Sequence, residues 1–426
     1  MTSRAIDGAK SDDRAQSDWD PSSSTPRLVS VPLWHGRPLS REGRYAPTPP
    51  SYLETAAGWN DSAAPIVRVL FDALNEERLR YCHWKSNIRL GETLAGNQDI
   101  DLLVDRHDLA RLQVIMAQLG FKTTVARAGL SHPGVFHALA LDERSGRLVD
   151  LHVYHGTLSG DSLVKSFRLP LSELLLDQAT TVADVVVPAP EVELLTFVVR
   201  IALKHTSPIE ILKINRKYHK NVAELAWLQQ AADPTEVERL LPEVFPRVDI
   251  GLYRDLLDAV ANPRALPRRI VLGRRLARRL GNLRRVGPLT ALASRTWRLF
   301  SWLRNRALKR GNLYFSGGGA IVAVVGPKGT GKSTLSHRVA AELGRHLVVR
   351  HIHAGKPPAT LLSAGPRLFL PLARRLLPHE RLSEYEKAER RERQSYSLFH
   401  VARMTLLAYD RSRLLNRASR AAANGA

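Results

Sequence analysis

The sequence predicts two folded units, of the α/β and α+β classes, joined by a basic helical segment and preceded by a disordered tail. Three observations carry this. A glycine-rich loop sits between an apolar strand-like run and a helix-like run near residue 330. Helical and strand periods alternate from Ala63 to about residue 260 and include a closely spaced acidic pair. Composition breaks sharply on either side of that stretch, and a chain of 426 residues that is 44% hydrophobic is long enough for two cores.

Residues 1–62 are rich in Ser, Pro, Asp and Arg, with SSSTP and APTPP blocks and no sustained apolar period, so a disordered tail is expected. From Ala63 the pattern reads as a helix (APIVRVLFDALNEE), a strand (LRYCHW), a short strand (DIDLLV) and a second helix (RHDLARLQVIMAQLG). A hairpin follows, in which FHALAL and RLVDLHVYH flank the turn DERSG. The remainder to about residue 260 reads as helices, giving a mixed sheet with a helical appendage over 63–260.

Residues 261–317 form the predicted linker. Between Arg264 and Arg310 stand fifteen Lys and Arg and no Asp or Glu, so this segment supplies most of the net charge of +22. Leu272, Leu276 and Leu280 face one way with Arg274, Arg275, Arg278 and Arg279 opposite, and Leu292, Leu299, Phe300 and Leu303 repeat the arrangement. Solvated surface helices are one reading. The other is contact, through residues 264–310, with an anionic membrane surface or a nucleic acid. No apolar run is long enough to span a bilayer and the amino terminus has no apolar secretion signal, so a cytoplasmic protein is expected. Cys82 is the only cysteine, which excludes an intramolecular disulfide and a cysteine-cluster metal site.

The final unit, 318–426, opens with AIVAVVGPKGTGKST. Gly326, Pro327, Lys328, Gly329, Thr330, Gly331, Lys332, Ser333 and Thr334 form an ATP-binding loop, in which glycines let backbone amides turn towards phosphate oxygens. Lys332 is placed to reach the β and γ phosphates, and the Ser333 hydroxyl to ligate Mg2+. Downstream, RHLVVRHIHAG reads as a second strand and MTLLAYDRSRLLNRA as a helix. With the loop, these runs resemble the thymidylate kinase family. The resemblance implies a nucleoside-monophosphate site in which Arg411, paired with Asp410, contacts the monophosphate; without it the two residues read equally well as an exposed ion pair. The family continues with a further strand and an arginine-bearing lid, whereas only 109 residues run from Gly318 to the end. A partial parallel P-loop unit is therefore expected, in which Ala320–Val325 and Leu347–Ile352 lack a shared neighbouring strand, and no monophosphate kinase turnover is expected.

The acidic pair belongs to the first unit. Asp99 and Asp101 are two residues apart on a strand and so share a face, and Asp150 on the later hairpin strand completes a candidate magnesium site. The bland alternative makes Asp99 a turn cap and Asp150 a solvated hairpin residue. The order RYCHWKSN, DIDLLV, RLVDLHV resembles the DNA polymerase beta-like nucleotidyltransferase superfamily, in particular a bacterial group with Lys-Ser in place of Gly-Ser and Asp-Leu-His on the third-acid strand. That resemblance implies that Lys85 and Ser86 contact a triphosphate while Asp99, Asp101 and Asp150 hold metal. The two units together resemble an architecture associated with surface-polysaccharide gene clusters. They imply an ATP-binding, magnesium-dependent transferase that moves a nucleotidyl group to an unidentified acceptor. The rival reading is a non-catalytic nucleotide-binding module for assembly or tethering.

Overall fold

A computed structural model describes residues 63–126, 132, 134–207, 210–211, 218–307, 313–327, 329–355, 357–376 and 398–426. The predicted tail, 1–62, and Lys328 lie outside the described residues. Among these residues the protein is mixed α/β, and no helix is long and apolar enough to cross a membrane.

Proline in the first turn starts α1 (Pro65–Glu76), which buries Val67, Leu70, Phe71 and Leu74 at helical spacing. There follow β1 (Tyr81–His83), α2 (Leu90–Leu94), β2 (Ile100–Val104), α3 (Leu109–Gln118), β3 (Lys122–Ala126), β4 (Val135–Asp142) and β5 (Arg147–Tyr154). Two short hairpins, β6 (Leu158–Ser159) with β7 (Phe167–Arg168) and β8 (Ala179–Val182) with β9 (Val185–Pro188), bracket α4 (Ser172–Asp177). The main sheet has the order β1-β2-β5-β4-β3-β10, with β10 (Leu313–Phe315) arriving from beyond the basic segment. Only β2 and β5 run parallel; the other pairs are antiparallel.

Strand alternation divides the cores. Ile100, Leu102, Val104, Val149, Leu151 and Val153 point to the face covered by α1 and α3. On the opposite face, Leu103 and Tyr154 meet a helical bundle made of α5 (Pro190–Lys204), α6 (Tyr218–Ala231), α7 (Pro234–Val244) and α8 (Ile250–Ala261). Helix α5 is buried along almost its whole length and is the centre of that bundle.

The basic segment is not a free linker. Helix α9 (Leu266–Arg279) packs on α5 and α8, burying Leu272 and Leu276 and leaving Arg274, Arg275, Arg278 and Arg279 exposed, as the periodicity predicts. A side-chain carbon at Gly273 would lie 2.5 Å from the Ala202 carbonyl oxygen, so glycine permits this close crossing. Helix α10 (Pro288–Ala307) departs from the prediction. Its polar side faces inward, with Ser301 and Asn305 buried and Arg295 donating to buried Asp161 at 2.8 and 3.0 Å. Leu292, Phe300 and Leu303 therefore face outward.

The predicted parallel unit is also absent among the described residues. Residues 319–327 form no strand, with Ile321, Val322, Val324 and Val325 exposed, and Leu347 makes only a single parallel bridge, to Leu313. An apolar run becomes a buried parallel strand only with neighbours to receive its backbone groups, and among the described residues no third strand stands between these two. Helices do form: α11 (Lys332–Leu343), α12 (Leu361–Leu376) and α13 (Leu398–Ala423).

Candidate functional site

Register brings the polar residues of the sheet together. Asp101 on β2 pairs with His152 on β5, which in turn pairs with His137 on β4, so three adjacent strands present polar side chains at one level. Asp150, two residues before His152, shares its face, and Asp99 immediately precedes β2. The bundle covers this face as far as Leu103 and Tyr154, and beyond that limit the acidic end opens to solvent, with the Asp99 side chain 61% exposed.

The three predicted carboxylates thus converge on His152. Its Nδ1 lies 3.3 Å from Asp101 Oδ1, while its Nε2 lies 3.4 Å from Asp150 Oδ2 and 3.9 Å from Asp99 Oδ2. Lys85 Nζ lies 2.8 Å from Asp101 Oδ1 and donates to the Tyr154 hydroxyl at 2.9 Å. Burial opposes ionisation of Asp101, but Lys85 and His152 prevail and hold it well below the usual carboxylate range. Asp150 is likewise held down against burial, by His137 and His152. For His152, burial is outweighed by Asp101 and Asp150, which push it up to about 9. Asp99 is shifted the other way, upward, chiefly by the partial desolvation that the neighbouring protein imposes on this exposed side chain, with Asp150 and Asp101 adding to it.

These contacts differ from the all-oxygen surroundings that three carboxylates suggest for magnesium. Magnesium is bound through carboxylates and water in near-octahedral geometry. Here Asp101 is already paired with an ammonium and an imidazole, and Asp150 stands between two imidazoles.

Lys85 and Ser86 occupy a loop that is firmly anchored. Asn87 donates its side-chain amide to Glu193 of α5 at 2.8 Å, and its carbonyl oxygen lies 2.6 Å from His83 Nδ1. Ser86 has φ 63°, the left-handed region that a residue with a Cβ rarely adopts, and Lys165 has φ 52°. Burial pushes Glu193 up to about 7.

Around this loop lies a group of cations that sequence reasoning missed. The Arg200 guanidinium stacks 4.7 Å from the Trp84 ring centre, and Lys85 Nζ lies 5.3 Å from the same ring. Burial, then the nearby charges of Lys85, Lys204 and Arg200, bring Lys165 down to about 7. Burial and then Arg200 and Lys85 bring Lys204 down to about 8. Among the described residues neither lysine has an ion-pair partner. One signal was available, because Arg200 and Lys204 stand four residues apart on a helix that is otherwise nearly all apolar. His205, beside them, is a core residue, buried with Nδ1 2.7 Å from the Ile201 carbonyl oxygen.

The glycine-rich loop predicted to bind phosphate is built from tight turns. Gly326, Gly329 and Gly331 have positive φ, and Thr330 donates to the Pro327 carbonyl at 2.9 Å. Lys332 begins α11 and folds back onto that same carbonyl, while Ser333 and Thr334 are exposed in its first turn. Asp410 and Arg411 differ in burial. Asp410 is buried and accepts from Thr360 Oγ1 at 2.8 Å and Ser363 Oγ at 2.6 Å, anchoring the start of α12, and Arg411 is exposed. The chain matches no family model, no curated protein and no solved structure.

Proposed function

We propose that this is a nucleotide-binding phosphotransfer protein whose working site is the junction of sheet and bundle. The observation that carries this reading is the convergence of Lys85, Lys165, Arg200 and Lys204 beside Asp99, Asp101 and Asp150. Mutually repelling cations held in a half-buried pocket suit a polyphosphate, which neutralises several of them at once. In this reading Lys165, Arg200 and Lys204 hold the phosphates and stabilise the charge that develops on the leaving group. Asp99, exposed and with its pKa shifted upward, takes the proton of the acceptor hydroxyl. The nucleotidyl group and ATP are the preferred donor chemistry; the loop from Gly326 to Thr334 is a second nucleotide contact.

Calorimetric titration with ATP separates the two sites. The double substitution Lys165→Met, Lys204→Met is expected to weaken ATP binding about 100-fold, from two lost charge-assisted contacts. Lys332→Ala is expected to remove only a weaker, separate phase. Asp99→Asn is expected to leave binding intact and abolish transfer of labelled nucleotide. Binding that depends on Lys332 alone would overturn the reading.

A tethering role is favoured by one separate observation, the outward apolar face of α10. Leu289 is 82% exposed, and Leu292, Trp297, Phe300 and Leu303 are each at least half exposed. Aromatic and aliphatic side chains on a segment with no acidic residue suit the surface of an anionic bilayer. Sedimentation with phosphatidylserine vesicles is expected to capture the chain, and Trp297→Ala, Phe300→Ala to weaken capture about tenfold or more. Equal capture by phosphatidylcholine, or tighter salt-sensitive binding to DNA, would set the lipid reading aside.

A further inference from the structure

We propose that His137, His152 and Asp150, with Asp99 at the rim, bind one borderline transition-metal ion such as zinc, cobalt or manganese, a mixed nitrogen and oxygen site rather than a magnesium site. The proposal concerns the same pocket as the transfer reading. It depends on that reading for what the ion does and not for whether the ion binds.

The argument starts from two orphaned atoms. His137 Nδ1 and Asp150 Oδ1 are both fully buried and neither has a partner at hydrogen-bond distance; they face each other at 3.8 Å, an ion pair only when His137 is protonated. A buried polar atom left unsatisfied costs on the order of 1–3 kcal/mol, and more when charged. A separation of 3.8 Å is too long for a hydrogen bond between them. It falls in the range spanned by two ligand atoms on one ion, since bonds of about 2.0–2.2 Å place neighbouring ligands roughly 3–4 Å apart. One cation between the two atoms satisfies both.

His152 supplies the third donor, already oriented. Its Nδ1 is directed at Asp101, 3.3 Å away, and Nε2 points between Asp150 at 3.4 Å and Asp99 at 3.9 Å. An imidazole fixed by a carboxylate through one nitrogen offers the other to an ion that displaces its proton, the arrangement that accompanies metal-ligating histidines. Ligand-capable atoms of His137, Asp150 and His152 all lie within 4.8 Å of one another. The pairing of β4 with β5 enforces this proximity, because it places His137 directly opposite His152, with ring centres 4.2 Å apart. Two imidazole nitrogens and one or two carboxylate oxygens are a donor set that zinc, cobalt and manganese accept and that magnesium, with its preference for oxygen and water, does not favour. Lys85 serves this arrangement by neutralising Asp101, which leaves that carboxylate as a partner of the imidazole rather than as a competing ligand.

The test is titration of the full chain with cobalt(II), followed by visible absorption, with magnesium in excess as competitor. One ion per chain is expected, with a spectrum of nitrogen-containing, low coordination number. His137→Gln and His152→Gln are each expected to weaken binding about tenfold or more and to change the spectrum, while His219→Gln on the exposed face of α6 changes neither. Asp101→Asn, combined with Lys85→Met so that no ammonium is left unpaired, removes the orienting carboxylate and is expected to weaken binding while keeping the spectral type. Should a histidine variant fail to fold, manganese(II) added to the wild-type chain is expected to broaden the ring protons of His137 and His152 selectively in NMR spectra. Absence of cobalt binding, binding unchanged by His137→Gln, ready displacement by magnesium, or uniform broadening by manganese would each overturn the proposal. Loss of nucleotide transfer with cobalt still bound would overturn the transfer reading and leave this one standing.

Discussion

Lys85→Met is expected to destabilise the chain by about 3 kcal/mol, with most of the loss recovered in the double variant Lys85→Met, Asp101→Asn. The reason is the position of the pair rather than its attraction. Lys85 and Asp101 are 15% and 14% exposed and 2.8 Å apart, so removing the ammonium strands a carboxylate that has been taken out of water. Breaking a buried pair in this way costs about 3–5 kcal/mol, and the lower value applies because His152 still faces Asp101. Neutralising both partners removes the stranded charge. Urea denaturation of the four forms completes the cycle. A double variant as unstable as the single would show that Lys85 acts through packing on Trp84 and Tyr154 instead.

The second large effect is on pH dependence. In the folded chain Lys165 is brought down to about 7 and Lys204 to about 8, against about 10.4 for a free lysine. A lysine whose folded pKa is depressed binds fewer protons in the folded than in the unfolded state across the interval between the two values. Stability is therefore expected to rise with pH from about 7 to about 10, by on the order of several kcal/mol for the two together, and to level off beyond. His152, pushed up to about 9, works in the opposite sense, its contribution falling between about 6.5 and 9, so the measurement is a difference. The slope of wild type minus that of Lys165→Met, Lys204→Met isolates the lysines. Tripolyphosphate is expected to flatten this difference, because a bound polyanion favours the protonated lysines, and to draw protons from the buffer as it binds. A difference slope of zero, or no proton uptake, would mean that these lysines reach solvent and do not crowd one another.

Much of the first unit was legible from periodicity. The alternation in DIDLLV places Asp99 and Asp101 on one face, and that in RLVDLHV places Asp150 and His152 on one face, whatever the strands pair with, because successive side chains must point to opposite sides. The convergence of Asp99, Asp101 and Asp150 followed once β2 and β5 became neighbours. The apolar seam of α9 was equally visible, since its leucines recur at helical spacing.

What sequence alone determined is therefore local: which side chains of one strand or helix share a face, where glycines permit positive φ, and where charge is concentrated along the chain. Tertiary structure decided the rest. His137 reached the site through β4–β5 register, Arg200 and Lys204 through the docking of α5, and Lys165 through the connection between β6 and β7, contacts between residues far apart in sequence that no local period encodes. The same physics governed the failures. Ala320–Val325 has the composition of a buried strand but no neighbour among the described residues to accept its backbone groups, and α10 turned its apolar face outward because buried Asp161 required Arg295 on the inner side. A hydrophobic pattern states which face of an element needs cover, whereas the partner that provides it is settled only when the chain is folded.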